Sequence, residues 1–413
     1  MCIIIFNRID YIKVRREIKA MKVFSIISEY NPLHQGHLYQ INALKKNNES
    51  FVIAFMSGSF VQRGEPAFIS KFDRSKSAVL NGVDLVLEMP TLVSLQSAQY
   101  FSFGSVQILN KLNICDFISF GYESLDFSNF KKIISLEENF QDEINNKVNL
   151  HISQGLSYKS SYAQAIKELD PSIDKNVFLA NNTLALEYIK SLKKLESPIS
   201  IFPIPRSGAN YDQENLDKNG FQSATSIRLA HKKGQDISSH LPKDLMASLK
   251  GQTPPSLDDL SSIFYQLAFV EKRPAQDVPG YENGMLNLLR KNYYTSLEDM
   301  VEKSHNKRYS KSRLRRFVLN YILGLSNEDI RLMEKINYIK PLAFNEKGAF
   351  LLSLIKEQAQ LEIINKPKDI SKLDDYNKRI LSLDYKAYNL YCLKRPDQRT
   401  REFTNNPFIP VQN

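Results

Sequence analysis

The sequence contains few of the residues that build disulfide-linked or zinc-bound proteins. Only three of its 413 residues are cysteine, namely Cys2, Cys115 and Cys392, and no two of them form a CxxC pair. Small disulfide scaffolds and zinc ribbons are therefore excluded. So little cysteine is typical of a reducing compartment, and we expect a cytoplasmic location.

The sequence also lacks an apolar run long enough to cross a membrane. The apolar start at residues 1–6 is soon followed by Arg8, Asp10 and Lys13, whereas a spanning helix needs about 20 apolar residues. No signal peptide is predicted. Because Met21 precedes an apolar run in the manner of a natural chain start, residues 1–20 are predicted to be an N-terminal extension, with a misassigned start codon as the alternative.

Neither of the common glycine-rich phosphate loops is present. The chain has no GxxxxGK[ST] motif and no GxGxxG motif, which excludes P-loop chemistry and the usual dinucleotide fingerprint. Fixed-period repeats and low-complexity segments are also absent.

The composition is that of a folding chain with an excess of positive charge. Hydrophobic residues make up 42% and charged residues 24% of the sequence, which excludes a wholly disordered protein. Lys and Arg number 55 against 45 for Asp and Glu, a formal net charge of +10. This excess suits a polyanionic partner such as nucleic acid, but it is also common in proteins of Lys-rich organisms.

Short apolar runs alternate with helical patterns through the first half of the chain. Such alternation is typical of an α/β fold with a doubly wound, mostly parallel sheet. A strongly charged helical pattern at residues 124–168, followed by a further helix and strand, would extend the same sheet. The predicted strands are residues 23–27, 51–56, 84–89, 115–120 and 200–204, and the predicted helices include 36–46, 69–81, 98–112 and 180–195.

A cluster of turn residues at 251–256, Gly-Gln-Thr-Pro-Pro-Ser, is the best candidate for a linker. Beyond it the pattern is mostly that of amphipathic helix. We therefore predict a nucleotide-binding domain at residues 21–250 and a helical, basic domain at residues 257–413.

The segment Asn-Pro-Leu-His-Gln-Gly-His at residues 31–37 directly follows the first predicted strand. A strand that turns into a helix presents backbone N–H groups and the positive end of the helix dipole to a phosphate. Gly36 allows close approach, and His34 and His37 can donate hydrogen bonds to an α-phosphate as charge develops on it. The alternative is a plain helix start with two surface histidines.

This HxGH pattern resembles that of the nucleotidylyltransferase superfamily. Longer stretches are similar to the bacterial tRNA(Met) cytidine acetate ligase family, and the similarity runs from Met21 into the C-terminal region. The matching segments are residues 56–67, 81–90, 119–124, 181–188, 206–209, 223–228, 307–309 and 313–316.

The resemblance implies a ligase that acts in two steps. Acetate and ATP give acetyl-adenylate and pyrophosphate, with Mg²⁺ expected to assist, and the acetyl group then passes to the wobble cytidine of elongator tRNA(Met) as N4-acetylcytidine. His34 and His37 are the candidate catalytic residues. The candidate ATP-binding residues are Ile27, Ser28, Glu29, Tyr30, Asn31, Pro32, Leu33, Gln35, Gly36, Leu38, Tyr39, Gln40, Gly121, Arg206 and Arg228, with Asn181 or Asn182.

Several of these residues also have a reading from chemistry alone. Gly121 ends a predicted strand, where ligands bind in doubly wound sheets, but it could be a simple turn glycine. Arg206 and Arg228 could offer guanidinium donors to the triphosphate or lie on the surface. The Asn181–Asn182 pair could instead cap a helix.

A dense basic run, with Tyr309 within it, occupies residues 303–316. Such density fits contacts to an RNA phosphate backbone, and the alternative is a solvated helix face. The candidate tRNA-binding residues are Lys307, Arg308, Arg315 and Arg316.

Two other functions remain open from the residues alone. One is a small-molecule nucleotidylyltransferase of the same superfamily, which rarely needs a long basic helical region. The other is an RNA-binding protein with a decayed nucleotide site, which the intact His34, Gly36 and His37 argue against.

Overall fold

The computed structural model describes residues 21–46, 50–123, 126–205, 222–293, 295–404 and 407–409. The predicted extension at residues 1–20 and the candidate Arg206 lie outside these ranges. The strands are β1 (Lys22–Ser28), β2 (Ser50–Ser57), β3 (Phe60–Val61), β4 (Glu65–Pro66), β5 (Leu85–Met89), β6 (Phe117–Tyr122), β7 (Ser200–Pro205), β8 (Tyr338–Ile339), β9 (Pro341–Phe344) and β10 (Glu362–Ile363).

The α-helices lie between and after these strands. None of the described helices is both long and apolar enough to cross a membrane. The helices are α1 (Gln35–Lys45), α2 (Lys71–Leu80), α3 (Thr91–Ser94), α4 (Ala98–Lys111), α5 (Ser128–Ser153), α6 (Tyr158–Leu169), α7 (Ala180–Lys194), α8 (Ala224–Lys232), α9 (Lys243–Leu249), α10 (Ser261–Tyr265), α11 (Met285–Lys291), α12 (Leu297–Ser304), α13 (Lys311–Leu323), α14 (Asn327–Arg331), α15 (Glu346–Gln358), α16 (Asp375–Tyr391) and α17 (Arg401–Thr404).

The main sheet has the strand order β7-β6-β1-β2-β5-β9. All its neighbouring strands run parallel except β5 and β9, which are antiparallel. The central strand β1 pairs with β2, Val23 opposite Phe51, and on its other side with β6, Phe24 opposite Phe117. This topology confirms the predicted doubly wound, mostly parallel α/β fold.

The central strands are buried because helices cover both faces of the sheet. Every residue of β2 is buried. Phe51, Ile53 and Phe55 point into one hydrophobic core, whereas Val52 and Ala54 point into the other. Alternating residues of a strand face opposite sides, so a strand covered twice reads as a continuous apolar run. That is why the apolar runs predicted these strands.

The C-terminal half is mainly helical, but it also completes the main sheet. Strand β9 pairs with β5, with Leu85 opposite Phe344, and residues from both halves of the chain share one hydrophobic core. The sequence analysis did not predict this strand. The proposed division into residues 21–250 and 257–413 stays a prediction, and the two regions share one sheet.

A buried cluster of ion pairs connects α17, near the C-terminus, to the end of β5. Lys71 of α2 lies 2.6 Å from Glu88 of β5 and 2.7 Å from Glu402 of α17. Lys340 also pairs with both carboxylates. Burial alone would raise the pKa of Glu88, but Lys340 and Lys71 outweigh it and lower that pKa.

Candidate nucleotide-binding site

The turn between β1 and α1 is held by the two histidines of the HxGH pattern. His34 is the N-cap of α1, and its Nδ1 accepts a hydrogen bond from the Gly36 N–H at 3.1 Å. In return, Nδ1 of His37 accepts from the His34 N–H at 3.3 Å. Because each Nδ1 is an acceptor, the neutral form of each ring carries its proton on Nε2.

The two imidazoles lie against each other and against an aromatic neighbour. The ring centroids of His34 and His37 are 3.9 Å apart, and the ring of Tyr30 meets His37 edge-on at 5.1 Å. His34 is only 3% exposed, so the alternative of two surface histidines is wrong. Burial raises the pKa of Tyr30, which keeps this hydroxyl protonated.

A cavity of about 1660 Å³ opens at this turn. It lies beyond the carboxyl ends of β1 and β6 and is walled by residues of α4, α7, α8 and α13. Ligands of doubly wound sheets bind at such a crevice. The predicted site residues that line it are Ile27, Ser28, Glu29, Tyr30, Asn31, His34, His37, Gln40, Gly121, Asn181 and Arg228.

Other predicted ATP-binding residues do not line the cavity. Leu33 is fully buried under the turn, and Tyr39 is 44% exposed. The backbone of Gly36 is committed to capping by His34. The predicted residues away from the cavity wall are Pro32, Leu33, Gln35, Gly36, Leu38, Tyr39 and Asn182.

The segment that follows β1 is connected by hydrogen bonds to α8 and to the β3–β4 hairpin. Arg228 of α8 donates to the Asn31 carbonyl at 2.7 Å and lies 3.3 Å from Glu65. Glu29 accepts from the Gln62 N–H at 2.8 Å. Burial raises the pKa of Glu29, although the Gln62 hydrogen bond and the nearby arginines oppose this. Arg228 is thus tied to the turn and is not a surface arginine.

The two asparagines at the start of α7 have different surroundings. Asn182 is fully buried, accepts from the Glu123 N–H at 2.9 Å and donates to the Asn176 carbonyl at 2.8 Å. Asn181 lines the cavity and donates to the Glu123 carboxylate at 2.5 Å. The N-cap of α7 is Leu179, so the helix-cap alternative is wrong for both.

The predicted tRNA-binding residues fall into two groups. Lys307 and Arg308 are exposed, and Arg308 lies 2.8 Å from Glu282. Arg315 is paired at 2.6 Å with both Glu65 and Glu298. Both Arg308 and Arg316 line the cavity. The basic run therefore does not form one uniform solvated face.

The sequence analysis missed cavity residues that come from the β3–β4 hairpin and from α13. Gln62 and Arg63 line the cavity, and Arg63 donates to the Thr225 hydroxyl at 3.0 Å. Arg313 lines it from α13. The signal was available for all three, because residues 56–67 and 313–316 were among the segments that carried the family resemblance.

The described residues offer no ready-made metal site. No three His, Cys, Asp or Glu side chains within the described ranges are grouped closely enough to hold a metal ion. Mg²⁺ usually keeps several waters and takes one or two carboxylates together with substrate phosphates. The expected Mg²⁺ stays a prediction, and no step below depends on it.

A mostly parallel sheet whose first strand ends at a histidine-capped helix start, open to a large cavity, defines a protein of the nucleotidyl transferase class. The family model described as HIGH Nucleotidyl Transferase matches residues 21–406. The chain belongs to this family and, within it, to the tRNA(Met) cytidine acetate ligases. Relatives with that name include proteins of Caldanaerobacter subterraneus subsp. tengcongensis, 34% identical over 90% of this chain and 95% of theirs, and of Clostridium botulinum strain Langeland, 36% identical over 92% and 97%.

Solved structures agree with this membership. The chain is similar to the apo crystal structure of Thermotoga maritima TmcAL, with a TM-score of 0.85 and 28% identity over 94% of this chain and 99% of that one. A second crystal structure of the same protein, bound with alpha-thio ATP, gives a TM-score of 0.82 and 29% identity over the same shares. The family resemblance drawn from the sequence is therefore confirmed.

Proposed function

We propose that this chain activates acetate with ATP as acetyl-adenylate and transfers the acetyl group to the wobble cytidine of elongator tRNA(Met). The observation that carries the proposal is the paired His34–His37 turn at the mouth of the cavity. Relatives named tRNA(Met) cytidine acetate ligase and a neighbour bound with alpha-thio ATP support it.

In the first step an oxygen of acetate attacks the α-phosphorus of ATP. The bond between the α-phosphorus and the oxygen that bridges it to the β-phosphorus breaks. Negative charge then builds on the α-phosphate oxygens and on the leaving pyrophosphate. The Nε2–H groups of His34 and His37 would donate to that charge, and the positive end of the α1 dipole would add to the stabilisation. The products of this step are acetyl-adenylate and pyrophosphate.

The remaining cavity residues would bind and orient the nucleotide. Gly121 lies on the cavity wall in β6, where a base or ribose can approach the backbone closely. Asn181 is the asparagine of the pair that we assign to ATP, because Asn182 is buried among protein partners. Arg228 would carry positive charge toward the phosphates. Mg²⁺ would enter with the triphosphate.

In the second step the N4 amine of cytidine attacks the acetyl carbon. The bond between that carbon and the AMP oxygen breaks, AMP leaves, and N4 loses a proton to water. A cavity of about 1660 Å³ exceeds the roughly 300–1,000 Å³ that is usual for a small-molecule site, so a nucleotide of the RNA has room beside ATP. The exposed Lys307 and Arg308 remain the proposed contacts to the tRNA backbone. A cytoplasmic location also stays a prediction.

The test is a reconstituted reaction with the purified chain, ATP, labelled acetate and either elongator or initiator tRNA(Met). We expect N4-acetylcytidine by nucleoside mass spectrometry in the elongator only, with AMP and pyrophosphate formed in equal amounts. Stoichiometric ADP would rule out adenylation. AMP transferred to a small phosphorylated molecule, with unmodified tRNA, would instead identify a cofactor-making transferase.

A further inference from the structure

Two neighbouring arginines of α13 have very different partners. Arg315 is held by carboxylates on both sides, at 2.6 Å from Glu65 and 2.6 Å from Glu298. The guanidinium of Arg316 donates through Nη1 to the Gln62 carbonyl at 3.0 Å and, within the described ranges, pairs with no carboxylate. Arg315 is therefore a structural bridge, whereas Arg316 carries a positive charge that no carboxylate of the described residues neutralises.

Arg316 lies close to the segment that follows β1. Gln62 connects them, because its N–H donates to Glu29 while its carbonyl accepts from Arg316. The hairpin turn that contains Gln62 packs closely against α13. Gly64 in this turn has φ +75°, and a Cβ at Gly64 would lie only 2.5 Å from the backbone nitrogen of Arg316. The close approach holds the α13 backbone at Arg316 against the hairpin, and Arg316 lines the cavity together with Glu29 and Gln62.

The surroundings of Arg316 are short of negative charge. Burial, and then the neighbouring Arg313, lower the pKa of Arg316 to about 10. Arg313 and Arg308 both pair with one carboxylate, that of Glu282. Two of the three arginines on this wall thus share one acidic partner, and Arg316 has none among the described residues. A partly buried guanidinium without a carboxylate partner is well suited to bind an anion that has several charged oxygens.

We propose that Arg316 binds phosphate oxygens at the pyrophosphate end of ATP. The inference rests on the proposed function and replaces the predicted RNA-backbone role for this one residue. A guanidinium offers a planar fork of donors that matches phosphate oxygens. Its position on the cavity wall, two hydrogen bonds from Glu29, fits the triphosphate, whereas the exposed Lys307 lies away from that wall and can reach the outer RNA backbone.

The test compares ligands that differ only in the pyrophosphate group. Binding of ATP, AMP and inorganic pyrophosphate is measured by titration calorimetry for the wild type, Arg316→Gln and Arg316→Lys. The control is Lys311→Gln, which removes one charge from the same helix; Lys311 pairs with Glu302 at 2.6 Å and does not line the cavity. Thermal unfolding shows which variants are folded.

We expect Arg316→Gln to weaken ATP and pyrophosphate about 10- to 100-fold, as for loss of a charge-assisted hydrogen bond, and to leave AMP unchanged. Arg316→Lys should recover part of the loss, and Lys311→Gln should resemble the wild type. If Arg316→Gln does not fold, Arg316→Lys carries the test, with a smaller loss confined to ATP and pyrophosphate.

Other outcomes would overturn the inference. They are equal weakening of ATP and AMP, unchanged ATP and pyrophosphate binding, or a defect limited to the KM of acetate or the Kd of tRNA. A wild type that binds neither ATP nor pyrophosphate would overturn the proposed function itself, so the two failures can be told apart.

Discussion

His34 and His37 each accept, through Nδ1, a backbone N–H of the turn that they form, and their ring centroids lie 3.9 Å apart. One set of contacts therefore caps the helix and fixes both tautomers. The Nε2 atoms are left as the hydrogen-bearing atoms of the neutral rings. Replacing either histidine therefore removes a capping hydrogen bond together with an imidazole that lines the cavity.

We expect His34→Ala and His37→Ala each to slow adenylate formation by about 10²- to 10³-fold, because each removes a donor to the charge that develops at the α-phosphate. The measurement is acetate-dependent exchange of labelled pyrophosphate into ATP without tRNA. The tRNA dissociation constant should be unchanged. Exchange at the wild-type rate in both variants would contradict the catalytic assignment.

A second substitution separates catalysis from capping at His34. His34→Ala also removes the N-cap of α1, which typically costs about 1 kcal/mol of stability. Asparagine is a good N-cap but has no group in the place of Nε2, so His34→Asn should keep the melting temperature near the wild-type value and remain slow. Recovery of exchange in His34→Asn would mean that His34 acts only as a cap.

The parts of the site that could be predicted from the sequence are those whose residues are close together along the chain. The apolar run before the HxGH pattern, the cap at His34 and the short turn are all local, so strand, turn and helix could be assigned from residues 23–46 alone. The central strands were predictable for a similar reason, since burial on both faces leaves a continuous apolar run.

Contacts between distant segments could not be predicted in this way. The four residues of β9 are too few for an alternating pattern, and their pairing with β5 joins segments about 250 residues apart. The different roles of Arg315 and Arg316 also depend on the hairpin that α13 meets, through Glu65 and Gln62. Because Arg315 and Arg316 are adjacent in one basic run, the sequence alone does not indicate that one pairs with carboxylates and the other does not.

The two asparagines of α7 form a matched pair for separating binding from stability. We expect Asn181→Ala to raise the KM for ATP by up to about tenfold, the loss of one neutral hydrogen bond of about 0.5–1.5 kcal/mol, with little change in melting temperature. Asn182→Ala should instead destabilise the fold by about 1–3 kcal/mol, because it leaves the Glu123 N–H unsatisfied and removes one of the two hydrogen bonds that the Asn176 carbonyl accepts. The reverse pattern would assign ATP to Asn182.

Lys307 and Arg308 are the members of the predicted tRNA-binding set that are exposed. Each phosphate contact that is lost should reduce the slope of log K against log salt by about one, so Lys307→Gln with Arg308→Gln should reduce it by about two. Filter binding to elongator tRNA(Met) at several salt concentrations measures this. Pyrophosphate exchange without tRNA serves as the control. An unchanged slope would place the RNA on another surface.

The buried charge cluster at the end of β5 also contains a carboxyl group with an unusual pKa. Asp384 of α16 accepts from the Thr91 N–H at 2.6 Å and from the Tyr338 hydroxyl at 3.1 Å, and it is 2% exposed. Burial, followed by the nearby Glu88, raises the pKa of Asp384 to about 7. Lys71 and Lys340 pair with Glu88 and Glu402, and neither pairs with Asp384. Asp384 is therefore the carboxyl group of the cluster that retains its proton most easily.

This raised pKa makes stability fall as pH rises through a defined window. From about pH 4 to 7 Asp384 is ionised in the unfolded chain but protonated in the fold, so the native state binds the extra proton and loses up to about 1.4 kcal/mol of unfolding free energy per pH unit. Asp384→Asn is neutral at every pH, and its amide can still accept from the Thr91 N–H and donate to the Tyr338 hydroxyl. We therefore expect urea unfolding between pH 5 and 7.5 to show a flatter decline in the variant and greater stability than the wild type at pH 7.5. Parallel declines in the two proteins would show that Asp384 is ionised in the fold throughout that range.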